Sequence, residues 1–226
     1  MKEEILAVGR RHLARDGAAA LSLRAIARDL GMVSSALYRY VASRDDLLTL
    51  LIVAAYTSLG DAVEQAHGAI PEEDLGARWD AIAQSLRTWA LAHPHEYALV
   101  YGSPVPDYDA PADRTTEPGT RVQALLVRLL ADATRTGRLA HQDEGDAGTE
   151  ARHLAERAVG TMVRGEFFAG SGVDAPTLVT GLAAWSLVMG TLSTEVFAQL
   201  GPDSVTDRDA YFASMVRISR QLVLGP

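Results

Sequence analysis

The sequence predicts an all-α protein, with an N-terminal three-helix head built around a helix-turn-helix and a larger C-terminal helical body. Three observations carry that expectation. Apolar residues recur at three- and four-residue spacing in nearly every segment, as at Ile26 and Leu30, and the two-residue alternation of strands is absent. Glycines and prolines fall where helices would end. Ser22 and Ser43 stand where helices would need a side-chain cap. The 226 residues leave room for one or two domains and a substantial core.

Each element has its own signal. A first helix over 4–16 ends at Gly17, and a second runs from the Ser22 cap to Leu30, closed by Gly31. A short third helix spans 34–40. Ser43 with Asp46 three residues on has the form of a capping box and opens a long fourth helix to about His67. After a break at 68–71, a fifth helix over 73–93 is stopped by Pro94, which lacks an N–H and crowds the preceding turn. Residues 95–101 form a short helix. The stretch 102–119, with four prolines, reads as the longest loop. Helices over 120–136, 149–169, 176–200 and 207–223 complete the chain, separated by Gly137, by Gly170 and Gly172, and by Gly201-Pro202.

A net charge of −8 excludes a protein that coats nucleic acid over its whole surface. The distribution says more, because residues 1–47 hold eight basic and six acidic groups while the remainder carries a net −10. That is a mildly basic head on an acidic body. With no cysteine, disulfides, thiolate metal sites and cysteine nucleophiles are excluded. No N-terminal apolar block leads to a small-residue cleavage site, and no segment approaches 18 uninterrupted apolar residues, so a cytoplasmic protein without a membrane segment is expected. His93 and His95 sit only two apart across a predicted helix end, so no metal site is expected. No paired carboxylates, nucleophile–base pair or phosphate-binding glycine loop stands in a persuasive context, so neither catalytic residues nor a cofactor are expected.

Residues 22–41 have the shape of a helix-turn-helix. Ala27 falls where the two helices cross and a larger side chain would push them apart. Gly31 occupies the turn, where a positive φ suits glycine. Ile26, Leu30, Met32, Leu37 and Val41 supply the apolar contacts of the crossing. The outward face of the third helix then holds Ser34, Ser35, Tyr38 and Arg39. Small residues at its start let the backbone sit deep in a major groove, while a phenol and a guanidinium one turn later reach phosphates or base edges. Tyr40 lies near the Leu37–Val41 side and is open to either role, DNA contact or cover for the small core.

The stretch ILAVGRRHLARDG, followed by LSLRAIARDLGMVSSALYRYVASRDDLL, resembles the DNA-binding head of the tetracycline-repressor (TetR) family over about 45 residues. The resemblance rests on Ile5-Leu6, Leu13-Ala14 and Gly17, then Ile26-Ala27, Leu30-Gly31, Leu37-Tyr38 and Ser43-Arg44. It implies a dimeric transcription factor divided into a DNA-binding domain, 1–47, and an effector-binding and dimerisation domain, 48–226. By that resemblance Ser22 and Arg24 touch DNA from the second helix, Ser34, Ser35, Ala36 and Arg39 face bases, and Tyr38, Tyr40 and Arg44 hold phosphates. Arg44 also sits at the N-terminus of the fourth helix, whose dipole adds to its field. Val33 departs from the Ser or Thr common at the start of the reading helix, so the cap is lost or shifts to Ser34, and Ala36 lacks a hydroxyl often found there. Arg10 replaces a usually apolar residue and reads as a surface charge.

In the body, Trp89, His93, Tyr97, Tyr101, His153, Arg157, Met162 and Phe167 are the candidates for an effector pocket, which needs an apolar lining with a few directional polar groups. The same aromatic spacing also suits a plain core. Leu178, Leu182, Trp185, Met189, Leu192 and Val196 form one stripe and Tyr211, Met215, Ile218 and Leu222 another; two such helices from each subunit would make a four-helix, two-fold interface, and intramolecular packing is the alternative. Gly181 and Gly190 leave the first stripe thin. Trp185-x-x-x-Met189-Gly190 resembles a Trp-x-x-x-His-Gly pattern of one TetR subgroup, with Met for His. The expected protein is therefore a homodimeric repressor, released from a near-palindromic double-stranded DNA operator by a small-molecule effector. The rival readings are an all-helical enzyme or a protein-interaction module with no role on DNA.

Overall fold

The computed structural model describes residues 1–140, 146–201 and 203–226. Among these are ten α-helices and no strand: α1 (Lys2–Asp16), α2 (Leu23–Asp29), α3 (Ser34–Leu37), α4 (Arg44–Gly68), α5 (Leu75–Ala92), α6 (Pro94–Tyr101), α7 (Ala112–Arg135), α8 (Asp146–Val163), α9 (Ala175–Val196) and α10 (Arg208–Leu224). Two 3₁₀ turns occupy Ala18–Ala20 and Glu166–Phe168. Pro202, half of the expected Gly201-Pro202 break, lies outside the described residues. The chain divides into two compact units, one of residues 1–62 with 88–121, the other of residues 63–87 with 122–226.

In the first unit, Ile5, Val8, Leu21, Ile26, Leu37, Val41, Leu47, Leu48 and Leu51 form a continuous apolar core under α1 to α4. The turn of the helix-turn-helix is built as the sequence predicts. Gly31 has φ +66°, its N–H reaches Arg28 O at 3.0 Å, and the Met32 N–H reaches Ala27 O at 2.8 Å, the paired bonds of a Schellman ending. Ser22 Oγ accepts from Ala25 N at 3.5 Å and caps α2. Two polar ties fix α1. His12 is buried with Nε2 2.7 Å from Asp29, and that bond holds the Asp29 carboxyl below its usual range. Arg10, expected as a solvated charge, instead donates to Glu96 on α6 at 2.9 Å.

The second unit is organised by buried cations. Arg87, on α5, makes a bidentate pair with Glu195 on α9 at 2.8 and 2.7 Å, reaches Asp209 on α10 at 2.7 Å, and lies 5.0 Å over the Phe212 ring. Hydrogen bonding to Glu195, the largest cause, raises its pKa. Arg78 is likewise buried between Asp132, at 2.8 Å, and His67, whose Nε2 accepts at 3.0 Å. Trp79 donates to Ser219 on α10 at 2.9 Å. Gly181 faces Leu130 of its own chain so closely that a Cβ would stand 2.8 Å from Cδ1, so the thin place there serves α7; Gly190 faces open space.

Four boundaries differ from expectation. Pro94 does not merely stop α5; it is the first residue of α6, where the missing N–H is one of the orphan donors and costs nothing. α7 begins at Ala112, eight residues early, because Pro111 O accepts the first amides and Pro118 is tolerated inside the helix with its ring buried. α8 stops at Val163, since Gly165 turns to an extended conformation and a 3₁₀ turn follows. α9 stops at Val196, where Ala198 takes φ +52° and Gln199 N reaches Thr194 O at 2.9 Å, a left-handed ending without glycine. α4 and α9 are long and apolar enough to cross a membrane by length and composition, and about half of each such window is buried inside the fold.

Two outcomes check this packing. Removing Arg87 as Arg87→Ala strands the nearly buried Glu195 carboxylate and should cost about 3–5 kcal/mol in urea unfolding; a loss under about 1 kcal/mol would mean that the cluster behaves as a surface pair. Burial, followed by the nearby Arg78 and Arg128 charges, lowers the His67 pKa below its ordinary 6.5. A depressed base contributes stability that is complete above its unfolded value and is lost as pH falls through the folded one. The unfolding midpoint should therefore drop between about pH 7.5 and about pH 5, and His67→Gln should flatten that slope; an equal slope in the variant would remove His67 as its source.

Candidate nucleic-acid interface and an adjoining cleft

The reading helix is a single turn, Ser34–Leu37, rather than the expected 34–40. Val33 provides no capping hydrogen bond, so the cap is lost and does not shift to Ser34. At the other end Tyr40 N turns to Leu37 O at 2.9 Å and tightens the exit. Leu37 and Val41 anchor this segment in the core. Opposite them, Tyr38 and Tyr40 are 50% and 37% exposed, which takes Tyr40 away from the role of core cover. Arg24, Ser35 and Arg39 are also exposed, while Ser34 and Ala36 are half-buried. The side chains of Arg24, Ser34, Ser35, Tyr38, Arg39 and Tyr40 have no hydrogen-bond or ion-pair partner among the described residues.

Two predicted contacts are differently placed. Ser22 Oγ is used as the α2 cap. Arg44 is partly covered, and its Nη2 donates to Ala18 O at 3.2 Å and Ala19 O at 3.1 Å while Nη1 meets Asp45 at 3.3 Å. The guanidinium is thus committed to tying the 3₁₀ turn to α4.

The start of α4 is a junction. Ser43 Oγ accepts from Asp46 N at 3.0 Å, one half of the expected capping box. The Asp46 carboxylate reaches the Ala42 N–H at 3.1 Å, one residue beyond the box's usual donor, and takes the Arg114 guanidinium of α7 at 2.8 Å. The Arg114 bond, ahead of opposing burial and the Ala42 amide, holds Asp46 below the usual carboxylate range. One turn on, Thr49 meets the Tyr108 hydroxyl at 2.8 Å. The segment leaving the reading helix, the base of α4, the 102–111 loop and α7 are therefore hydrogen-bonded together.

Beside this junction lies an open cleft of about 440 Å³. Ile52 and Tyr56 of α4, Leu99 and Val100 of α6, and Thr116 and Thr120 of α7 are among its walls, with the 102–110 loop completing it. None of the eight effector candidates that the sequence suggests lines it. Trp89 and Tyr97 are buried in packing, with Trp89 stacked on His93 and Tyr97 against Tyr101. Tyr101 comes nearest to the cleft, meeting the Tyr56 ring edge-on at 6.1 Å, and burial raises the pKa of both phenols. His153, Arg157, Met162 and Phe167 are exposed on and after α8. The cleft residues escape a reading from sequence because 102–119 looks like loop; the signal for them is Thr115, Thr116 and Thr120 at helical spacing.

The expected association stripes divide. Leu178 and Leu192 are buried in their own unit, on the inner face of α9 with Val188, and so lie off the outward stripe. Trp185, Met189, Tyr211 and Met215 are half-buried. Leu182, Ile218 and Leu222 stand out at 38%, 46% and 45% exposure on two helices packed against each other.

Comparison with known proteins agrees with this architecture. The family model described as "Bacterial regulatory proteins, tetR family" matches residues 5–51, and that described as "Tetracyclin repressor-like, C-terminal domain" matches residues 79–218. The HTH-type transcriptional regulators Rv1816 of Mycobacterium tuberculosis and Mb1846 of Mycobacterium bovis are each 41% identical over 221 residues, covering 96% of this chain and 90% of theirs. The crystal structure of SCO4313 superposes with a TM-score of 0.76 at 32% identity, covering all of this chain and 95% of that one. A tetR-family regulatory protein from Rhodococcus RHA1 shares the fold, with a TM-score of 0.63 at 15% identity over 98% and 95% of the two chains. The matching families and relatives are regulators of transcription, not enzymes.

Loss of the capping hydroxyl at the junction, as Ser43→Ala, should cost about 1 kcal/mol of stability. Thermal unfolding checks it; an unchanged midpoint would show that the Asp46 side chain alone secures the start of α4.

Proposed function

The chain belongs to the TetR family of transcriptional regulators, and from that premise we propose that it is a homodimeric repressor that reads a near-palindromic operator through α3 and leaves it when a small molecule binds. Ligand-responsive repression of transcription by DNA-binding dimers is the general function of the family, whose members are soluble. A cytoplasmic location goes with that reading. The DNA-binding domain is residues 1–47, and the remainder serves effector binding and dimerisation.

The observation that carries the DNA reading is the free polar face of α3. Exposed serine, tyrosine and arginine groups with no internal partner stand on α3 and on the turn that follows it, a segment whose opposite side is locked in the core by Leu37 and Val41. Ser34, Ser35, Ala36 and Arg39 are assigned to bases, and Tyr38 and Tyr40 to phosphates, with Arg24 and Ser22 at the flank. Arg44 acts chiefly by holding the 3₁₀ turn, with its charge adding to the local field. The exposed Leu182, Ile218 and Leu222 support the α9 and α10 interface, joined by the half-buried Trp185, Met189, Tyr211 and Met215. The charge balance agrees, since a −8 chain needs a local basic surface to approach a polyanion.

Switching requires that a ligand favour one head spacing over the other, because equal binding to both shifts nothing. α4 is suited to transmit such a preference, since Ser43 and Arg44 sit at its start and Ile52 and Tyr56 line the cleft roughly two to three and a half turns later.

Duplexes selected from a random pool supply the test. Arg39→Ala, whose guanidinium has no structural duty, should weaken binding about 5- to 150-fold and relax preference at one base position. Ser35→Ala should alter the selected sequence with a smaller loss. Unchanged affinity, salt slope and selected sequence in both variants would contradict the assignment of α3 and the turn after it to DNA.

A further inference from the structure

We propose that the cleft between α4, α6, α7 and the 102–110 loop is a binding site selective for an uncharged small molecule that donates hydrogen bonds, an inference that takes its regulatory meaning from the reading of the chain as a ligand-responsive repressor.

Proton accounting sets the polarity of the site. Each hydroxyl carries a single proton and two lone pairs. Tyr56 spends its proton on Val100 O at 3.3 Å, Thr115 on Pro111 O at 2.9 Å and Thr120 on Thr116 O at 2.8 Å. At the Tyr108 contact the donor is settled by its neighbour. Thr49 already donates to Asp45 O at 2.9 Å, so across the 2.8 Å gap Tyr108 must donate to Thr49. Four of the six hydroxyl-bearing residues lining the cleft therefore turn their protons into the protein and keep lone pairs for an occupant. Burial raises Tyr56 above its ordinary phenol value, which keeps it a neutral hydroxyl.

Charge narrows the ligand further. No Asp, Glu, Lys, Arg or His lines the cleft, whose remaining walls are aliphatic, glycine or proline. An anion would meet the lone pairs of those four hydroxyls, with only the Ser103 and Thr116 hydroxyls left to donate, and the exposed Asp107 and Asp109 on the wall-forming loop would repel it. A cation would lose hydration without a lining carboxylate to replace it. A neutral molecule without donors would bury those acceptors unmatched. The volume of about 440 Å³ falls in the range of ligand pockets, roughly 300–1,000 Å³.

The test uses the full chain without DNA and four probes on one ring scaffold, namely resorcinol, 1,3-dimethoxybenzene, benzoate and benzylammonium, titrated by saturation-transfer NMR. Resorcinol should bind at least about 5-fold more tightly than each of the others, the effect of one net hydrogen bond. Thr120→Val should weaken resorcinol by about the same factor and leave dimethoxybenzene unchanged. Thr116→Phe, at an exposed lining residue, should abolish binding by filling the cleft; should that variant misfold, Ser103→Phe blocks it from the loop. Equal or tighter binding of any other probe, no binding of resorcinol, or resorcinol binding that survives the filled cleft would overturn the proposal. Because DNA is absent, such a failure leaves the operator reading standing, and a failure of Arg39→Ala to affect DNA binding leaves the cleft result standing.

Discussion

The Asp46 carboxylate at the start of α4 ties the segment leaving α3 to α4 and α7. It accepts the Ala42 amide just after that segment, holds Arg114 from α7, and sits in the turn capped by Ser43. A carboxylate at a helix N-terminus is favoured by the unpaired amides and the helix dipole. Here the same group also joins two separate stretches of chain, the turn from Ala42 into α4 and the start of α7. The one-turn α3 has little cohesion of its own, since isolated short helices are marginal in water. Its placement comes from Leu37 and Val41 in the core and from this junction behind it.

Two kinds of polar group divide the work. Those that are satisfied internally hold the fold: His12 on Asp29, Arg10 on Glu96, Arg44 on the Ala18 and Ala19 carbonyls, and Arg87 in its clamp of Glu195 and Asp209. Burying Arg87 is tolerable because its fork is met by carboxylates and its flat face by Phe212. Those on the outer side of α3 and the turn after it have no internal partner, while the cleft hydroxyls spend their protons inside the protein and keep lone pairs; the proposed recognition draws on both. Arg39 and Arg44 illustrate the split, because the sequence offers two similar arginines and only the surroundings decide that one is free and the other engaged.

Much of this is legible in the sequence. Helical periodicity, the Ser22 and Ser43 caps and the positive φ of Gly31 are local signals, and each appears where expected, because capping and left-handed turns depend on the residues beside them. Proline is the main source of error. Pro94 and Pro118 look like stops, yet one begins α6 and the other lies inside α7, where burial of the ring compensates for a missing bond. That ambiguity hides the threonines of the cleft. Tertiary choices are less visible still. Nothing in spacing distinguishes Leu178, buried, from Leu182, exposed, or tells Gly181, pressed on Leu130, from Gly190, facing open space. The α8 candidates His153, Arg157 and Met162 sit at the right spacing for a pocket face and are exposed.

The proposed function requires a two-fold pair of α3 helices entering successive major grooves. Hydroxyl-radical footprinting of the purified protein on a selected duplex is the decisive measurement. Two protected patches should appear on one face of the DNA, centred about one helical turn, roughly 34–36 Å, apart. A single patch, or protection spread evenly along the duplex, would refute that arrangement.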